Sequence, residues 1–225
     1  MRLGTRTVLF GAHQFAIHPW FVALAWWKLY SFPLDPRLWA AFFVHDLGYL
    51  GKLHLDDPDG EWHVAFGARI LGYLFDHSGW RSSKLASILG PYLDHWFGCT
   101  PLGDPLLRQP STWYQFAFYH SRYMAKRYGV SPSKLCYADK LAFVITPAWI
   151  YLPLVWITGE WREYARAHNH EVHHDSISLL GCYYPSRAYV RDWVKEHQHG
   201  EIDTWTQDKP EQRSESKGVT SGFGY

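Results

Sequence analysis

An all-α fold is predicted for this 225-residue chain. Two observations lead there. Helix-start signals recur ahead of apolar stretches, at His18-Pro19, Asp35-Pro36 and Ser131-Pro132; proline is favoured in a first helical turn, and Asp or Ser before it can cap the exposed N–H groups. No run of alternating β-branched residues of strand type accompanies them.

The first helix is expected from His18-Pro19 to about Tyr30, and a second from Asp35-Pro36, carrying His45-Asp46 until Gly48 and Gly51 loosen or end it. LHLDDPDG reads as a polar loop, and a third helix runs from about Glu61 to Phe75. Ser82 or Ser83 caps a helix that stops before Pro91, and the Gly- and Pro-rich residues 98–110 form a loop. Ser111 caps a long helix to Tyr128, with Gly129 as its stop. Ser131-Pro132 opens another, carrying Asp139 and ending near Pro147, and two or three further helices fill 147–199. LAFVITPAWIYLPLVWIT (141–158) is uncharged and nearly long enough to span a bilayer. Pro147 and Pro153 interrupt it, so it reads as two buried helices meeting at Thr146-Pro147.

The length is that of one domain, placed at 1–200, with enough chain to bury a core. Residues 201–225 turn polar and predict a disordered tail. With 22 Lys and Arg against 21 Asp and Glu, the bulk charge advertises neither stable nucleic-acid binding nor an anionic membrane. The three cysteines, Cys99, Cys136 and Cys182, lack CxxC spacing. They argue against a disulfide scaffold and fit a reducing, cytoplasmic setting. No signal peptide is evident.

The feature that bears on function is His45-Asp46, in the apolar stretch AFFVHDLGYLGK. Burying such a pair is costly unless it is matched by opposite charge or bound to metal. His18 and Asp139 are further isolated polar residues among apolar neighbours. Two imidazoles and two carboxylates from separate helices make a mixed N/O set suited to Mn, Fe, Co, Ni, Zn or Mg.

The order of these residues, in HPWFVALAWW, FFVHDLGYLGK and CYADKLAF, resembles the HD-domain metal-dependent phosphohydrolases over roughly residues 13–146. The resemblance implies an HD-domain-like helical bundle with His18, His45, Asp46 and Asp139 as ligands of a first metal. EWHVAFGARIL and YHSRYMAKRYG are similar to segments by which two-metal members hold a second ion. By that likeness His63 and His120 are its ligands, Asp46 bridges the two ions, and His95 is a further candidate. Tyr49 stands where the family often has Lys or Glu, so Lys52, one turn later, is the candidate for phosphate binding and catalysis beside Asp46. No HHE–GYP pattern follows, which leaves the cyclic-dinucleotide phosphodiesterases unsupported.

The activity implied is hydrolysis of a small phosphorylated metabolite, a nucleotide by family analogy, with one or two divalent ions. Phosphoryl transfer needs charge neutralisation, and Lys52, Arg69, Arg122, Lys126 and Lys140 are the candidate cations, with His13 and Gln14 as further substrate contacts. Two alternatives stay open: an HD-fold di-iron oxygenase with the same ligands, and a non-catalytic degenerate scaffold. A homo-oligomer is compatible with the sequence. His168, His170, His173 and His174 have no zinc spacing and read as a surface helix or loop.

Overall fold

The computed structural model describes residues 1–76, 112–168, 178–199 and 203–205. All its regular elements are helical, with no strand among the described residues. A short helix that the sequence did not signal comes first, α1 (Leu3–Phe10). It buries Leu3 and Val8 against Tyr49 and Leu55. α2 (His18–Leu29) begins where expected. α3 (Pro36–Val44) is capped by Asp35, which accepts from the Arg37 N–H at 2.9 Å.

α3 ends one residue before His45. The His45-Asp46 pair therefore lies just past a helix C-terminus, not within a helix, and Leu47–Tyr49 makes a single 3-10 turn after it. The helix expected over Glu61–Phe75 is divided into α4 (Pro58–Glu61), α5 (Val64–Leu71) and a π turn, Gly72–Asp76, with His63 at the start of α5. The long helix expected to reach Tyr128 is also two: α6 (Thr112–Phe118) and α7 (Arg122–Arg127). Ser121 caps α7 by accepting from the Met124 N–H at 3.2 Å. Gly129, with φ of 65°, stops α7 as expected.

α8 (Lys134–Ile145) carries Asp139, and α9 (Ala148–Thr158) follows after Thr146-Pro147. No single helix among the described residues is long and apolar enough to cross a membrane, and α8 and α9 are bent by 99° to each other. The expectation that both are buried holds only for α8. On α9, Trp149 is 77% exposed, and Trp156 and Ile157 are exposed too. α10 (Trp161–His168) and α11 (Leu179–His197) complete the described helices.

α2 lies along α8, α11 packs on another side of α8, and α5 packs on α6. The main core joins Val22 and Trp26 of α2, Phe42 of α3, Val64 and Leu71 of α5, Phe118 of α6, and Leu135 and Ala142 of α8. A smaller cluster of Cys136, Tyr137, Trp193 and Val194 joins α8 to α11. Within the expected 201–225 tail, residues 203–205 are described. Asp203 is buried and accepts from Trp193 Nε1 at 3.0 Å and Arg122 Nε at 2.9 Å. The helix expected after Ser82 or Ser83, His95, Cys99, the 98–110 loop, and His170, His173 and His174 lie outside the described residues, as does 206–225.

Candidate metal centre

His18 opens α2, His45 and Asp46 follow α3, His63 precedes α5, His120 sits in the break between α6 and α7, and Asp139 lies mid-α8. These positions, scattered over the chain, converge on two groups that could each hold a metal ion: His18, His45, Asp46 and Asp139, and Asp46, His63 and His120. Asp46 belongs to both. Its Oδ2 lies 3.1 Å from His45 Nε2 and 3.4 Å from His18 Nε2, and its Oδ1 lies 3.4 Å from His120 Nε2 and 3.6 Å from His63 Nε2. Asp139 Oδ1 is 3.0 Å from His18 Nε2 and 3.8 Å from His45 Nε2.

The backbone sets the direction of three of the four rings. His45 Nδ1 donates to the Phe42 carbonyl at 3.0 Å, His63 Nδ1 to the Gly60 carbonyl at 2.8 Å, and His120 Nδ1 to the Ala117 carbonyl. Each acceptor lies three residues earlier in the chain. A carbonyl can only accept, so Nδ1 carries the proton and the neutral ring presents its Nε2 lone pair to the centre. The same arrangement fixes the tautomer of metal-binding histidines generally.

A cation would satisfy these atoms. His18 Nε2, His45 Nε2 and Asp46 Oδ2 are buried and make no hydrogen bond, an expensive condition for polar atoms. His63 Nε2 and His120 Nε2 face each other at 3.2 Å. Two lone pairs at that separation repel unless a positive charge comes between them. Burial opposes a charge on His45, but Asp46 and Asp139 outweigh it and raise its pKa to about 10, so this ring meets the two carboxylates either with a second proton on Nε2 or with a metal ion in that proton's place. Burial, with His120 adding to it, instead lowers the His63 pKa well below 6.5 and keeps that ring neutral. Burial also works against the Asp46 carboxylate, yet His45 and its neighbours hold it well below the usual carboxylate range. Imidazole and carboxylate donors of this kind suit a first-row divalent ion or Mg.

Two glycines let the elements approach this closely. A Cβ at Gly67 would lie 2.5 Å from the Val44 carbonyl oxygen and 2.9 Å from His45 Cα, and one at Gly48 would run into the His63 carbonyl. α5 can thus press against the His45-Asp46 turn. The Tyr49 ring stacks on His63, with centroids 3.8 Å apart and planes at 11°. Burial raises the Tyr49 pKa, so the phenol stays neutral.

The other expected site residues divide. His13, Gln14, Arg122 and Lys140 line a cavity of about 310 Å³ that reaches His18 and Asp139. His13 Nδ1 shares a hydrogen bond of 2.9 Å with Thr7 Oγ1, and burial lowers its pKa to about 4. Lys140 Nζ donates to Asp139 Oδ2 at 2.9 Å. Arg122 lies 4.3 Å over the Trp193 ring in addition to its Asp203 bond.

Lys52, Lys126 and Arg69 do not line that cavity. Lys52 is buried with its Nζ 2.9 Å from Asp59 Oδ1, a local ion pair that occupies the role proposed for it. Lys126 follows Arg122 on α7 but does not share a helix with His120, because the chain breaks at Ser121. Arg69 is 2% exposed within α5.

One organising residue gave no sequence signal. Glu160, wholly buried between α9 and α10, accepts from Thr158 Oγ1 at 2.6 Å, Tyr164 OH at 3.3 Å, and the Ala12 N–H at 3.2 and 3.3 Å. It ties the loop bearing His13 and Gln14 to the junction of α9 and α10. Glu163 does the same for the loop after Lys52, through His54 Nδ1 at 2.7 Å and the Leu55 N–H at 2.9 Å.

Comparison with family models, curated proteins and solved structures finds no match.

Proposed function

We propose that this chain is a divalent-metal-dependent phosphohydrolase of the HD-domain type, cleaving a phosphate ester or anhydride of a small metabolite with water. One observation carries the reading: six side chains from five separate stretches form two ligand groups that share one carboxylate, Asp46. Shared-carboxylate pairs of this kind suit two-ion phosphate chemistry.

His18, His45, Asp46 and Asp139 would hold one ion, and Asp46, His63 and His120 the other. Divalent ions so held activate water and neutralise phosphoryl charge. The protein's own part is to aim the Nε2 atoms, to keep His63 neutral as a ligand, and to leave the Asp46 and Asp139 carboxylates ionised. Lys140, fixed on Asp139, brings a positive charge to the cavity mouth beside the ligands. Among the expected cations it is the one that lines the cavity next to a candidate ligand carboxylate, so the phosphate contact is assigned to Lys140 rather than to Lys52, which does not line the cavity. The nucleotide expectation rests on the family resemblance alone.

The test is metal content of the purified chain together with phosphate release from a panel of phosphoesters, with Mn, Co, Ni, Mg or Fe added. Release of phosphate with one or two ions per chain supports the reading, and Asp46→Ala abolishes both. Bound iron with no phosphate release from any compound moves the assignment to oxygen chemistry. A folded chain that retains none of these ions returns it to a non-catalytic scaffold.

A further inference from the structure

We infer that the molecule this site acts on is a phosphate monoester of an apolar alcohol, its phosphate at the ligand cluster and its hydrocarbon body in the adjoining cavity. The phosphate rests on the hydrolase reading above; the apolar body rests on the cavity alone. Beyond His18 and Asp139 the walls become hydrocarbon and aromatic, with Phe21 from α2, Phe143 from α8, Ile150 and Leu154 from α9, and Leu179 and Val190 from α11. At about 310 Å³ the cavity falls at the lower end of small-ligand sites, which span roughly 300–1,000 Å³.

Charge decides between this class and a nucleoside polyphosphate. Arg122 and Lys140 are the cationic side chains among the lining residues, and Asp56 and Asp139 are the anionic ones. Lys140 is bonded to Asp139 and Arg122 to Asp203, each at 2.9 Å. Neither is left over to match a second or third phosphate. Burying unmatched negative charge is costly, whereas each apolar group placed against these walls gains free energy. The tyrosines do not alter the balance. Burial raises the pKa of Tyr49, Tyr151 and Tyr164, so their hydroxyls are neutral at the cavity wall.

The experiment titrates the full-length, metal-loaded protein calorimetrically with butyl, hexyl and octyl phosphate, and with thymidine monophosphate and triphosphate. The expected result is affinity rising about fourfold per methylene, the size of the transfer free energy of one CH₂. Ser186→Phe, which inserts a ring from α11 into the cavity, flattens that rise while metal content stays unchanged. Affinity independent of chain length in the unsubstituted protein, or tighter binding of either nucleotide than of octyl phosphate, overturns the inference. The two readings fail separately. A steep series without phosphate release from any ester leaves the cavity assignment standing and removes the hydrolase, and phosphate release with a flat series does the reverse.

Discussion

Asp46 and Glu160 show two uses of a buried carboxylate. Asp46 is matched by four imidazole nitrogens and is held ionised. Glu160 meets only neutral donors, and burial raises its carboxyl above the usual 4.5 despite them. The folded protein therefore binds a proton in a pH range where the unfolded chain has released it. The associated stability is complete below the unfolded pKa and is lost as pH rises through the folded one. Glu160→Gln keeps the contacts of a neutral carboxyl and removes the titration. The unfolding midpoint of the natural protein is expected to fall relative to that variant as pH climbs from about 4 to 8. A difference that stays constant over that range rules this out. His45, Asp46, His18 and Asp139 were legible because a charge in an apolar stretch demands a partner. Glu160 was not, because it follows Thr158-Gly159 at a helix boundary, where a glutamate is ordinarily solvated. The Lys52–Asp59 ion pair was not legible either, because a short sequence offset does not reveal a nearby acceptor.

At the scale of elements, the candidate ligands other than Asp139, which lies mid-α8, sit at ends and breaks: His18 at a start, His45 and Asp46 at a finish, His63 before α5, and His120 in the gap between α6 and α7. Helical periodicity foresaw the elements but ran through those breaks. No Gly or Pro marks the break at Tyr119–Ser121, where Ser121 caps α7 and its Oγ also donates to Glu61 Oε2 at 2.7 Å. Loss of that serine in Ser121→Ala is expected to cost about 1 kcal/mol, as for other N-caps, and to weaken metal retention by loosening His120. Denaturant midpoints and metal content measure the two effects. Gly67 is the tighter constraint. A methyl group there meets the chain at Val44 and His45, so Gly67→Ala is expected to destabilise by about 1–3 kcal/mol and to lower metal affinity with it. Unchanged affinity in a folded Gly67→Ala protein would show that α5 does not set the His45-Asp46 position.

Across the whole molecule, the ligands span residues 18 to 139 and draw α2, the α3 end, the α5 start, the α6–α7 break and α8 to one point. Ions bound there act as cross-links of the folded state alone. At free metal about 100-fold above Kd the gain is about 2.7 kcal/mol per ion, so chelation is expected to lower Tm clearly, and calorimetry with and without chelator checks it. The 99° turn at Thr146-Pro147 divides the contributors unevenly, because cavity walls come from both sides of it and candidate ligands from one. Every ligand in the two groups precedes it, while α9 and α11, after it, supply cavity walls and no ligand. On the hydrolase reading proposed above, mutations accumulating after residue 147 would retune which molecule enters while leaving the candidate ligands in place. A lineage built on that plan would diversify its diet while inheriting its chemistry.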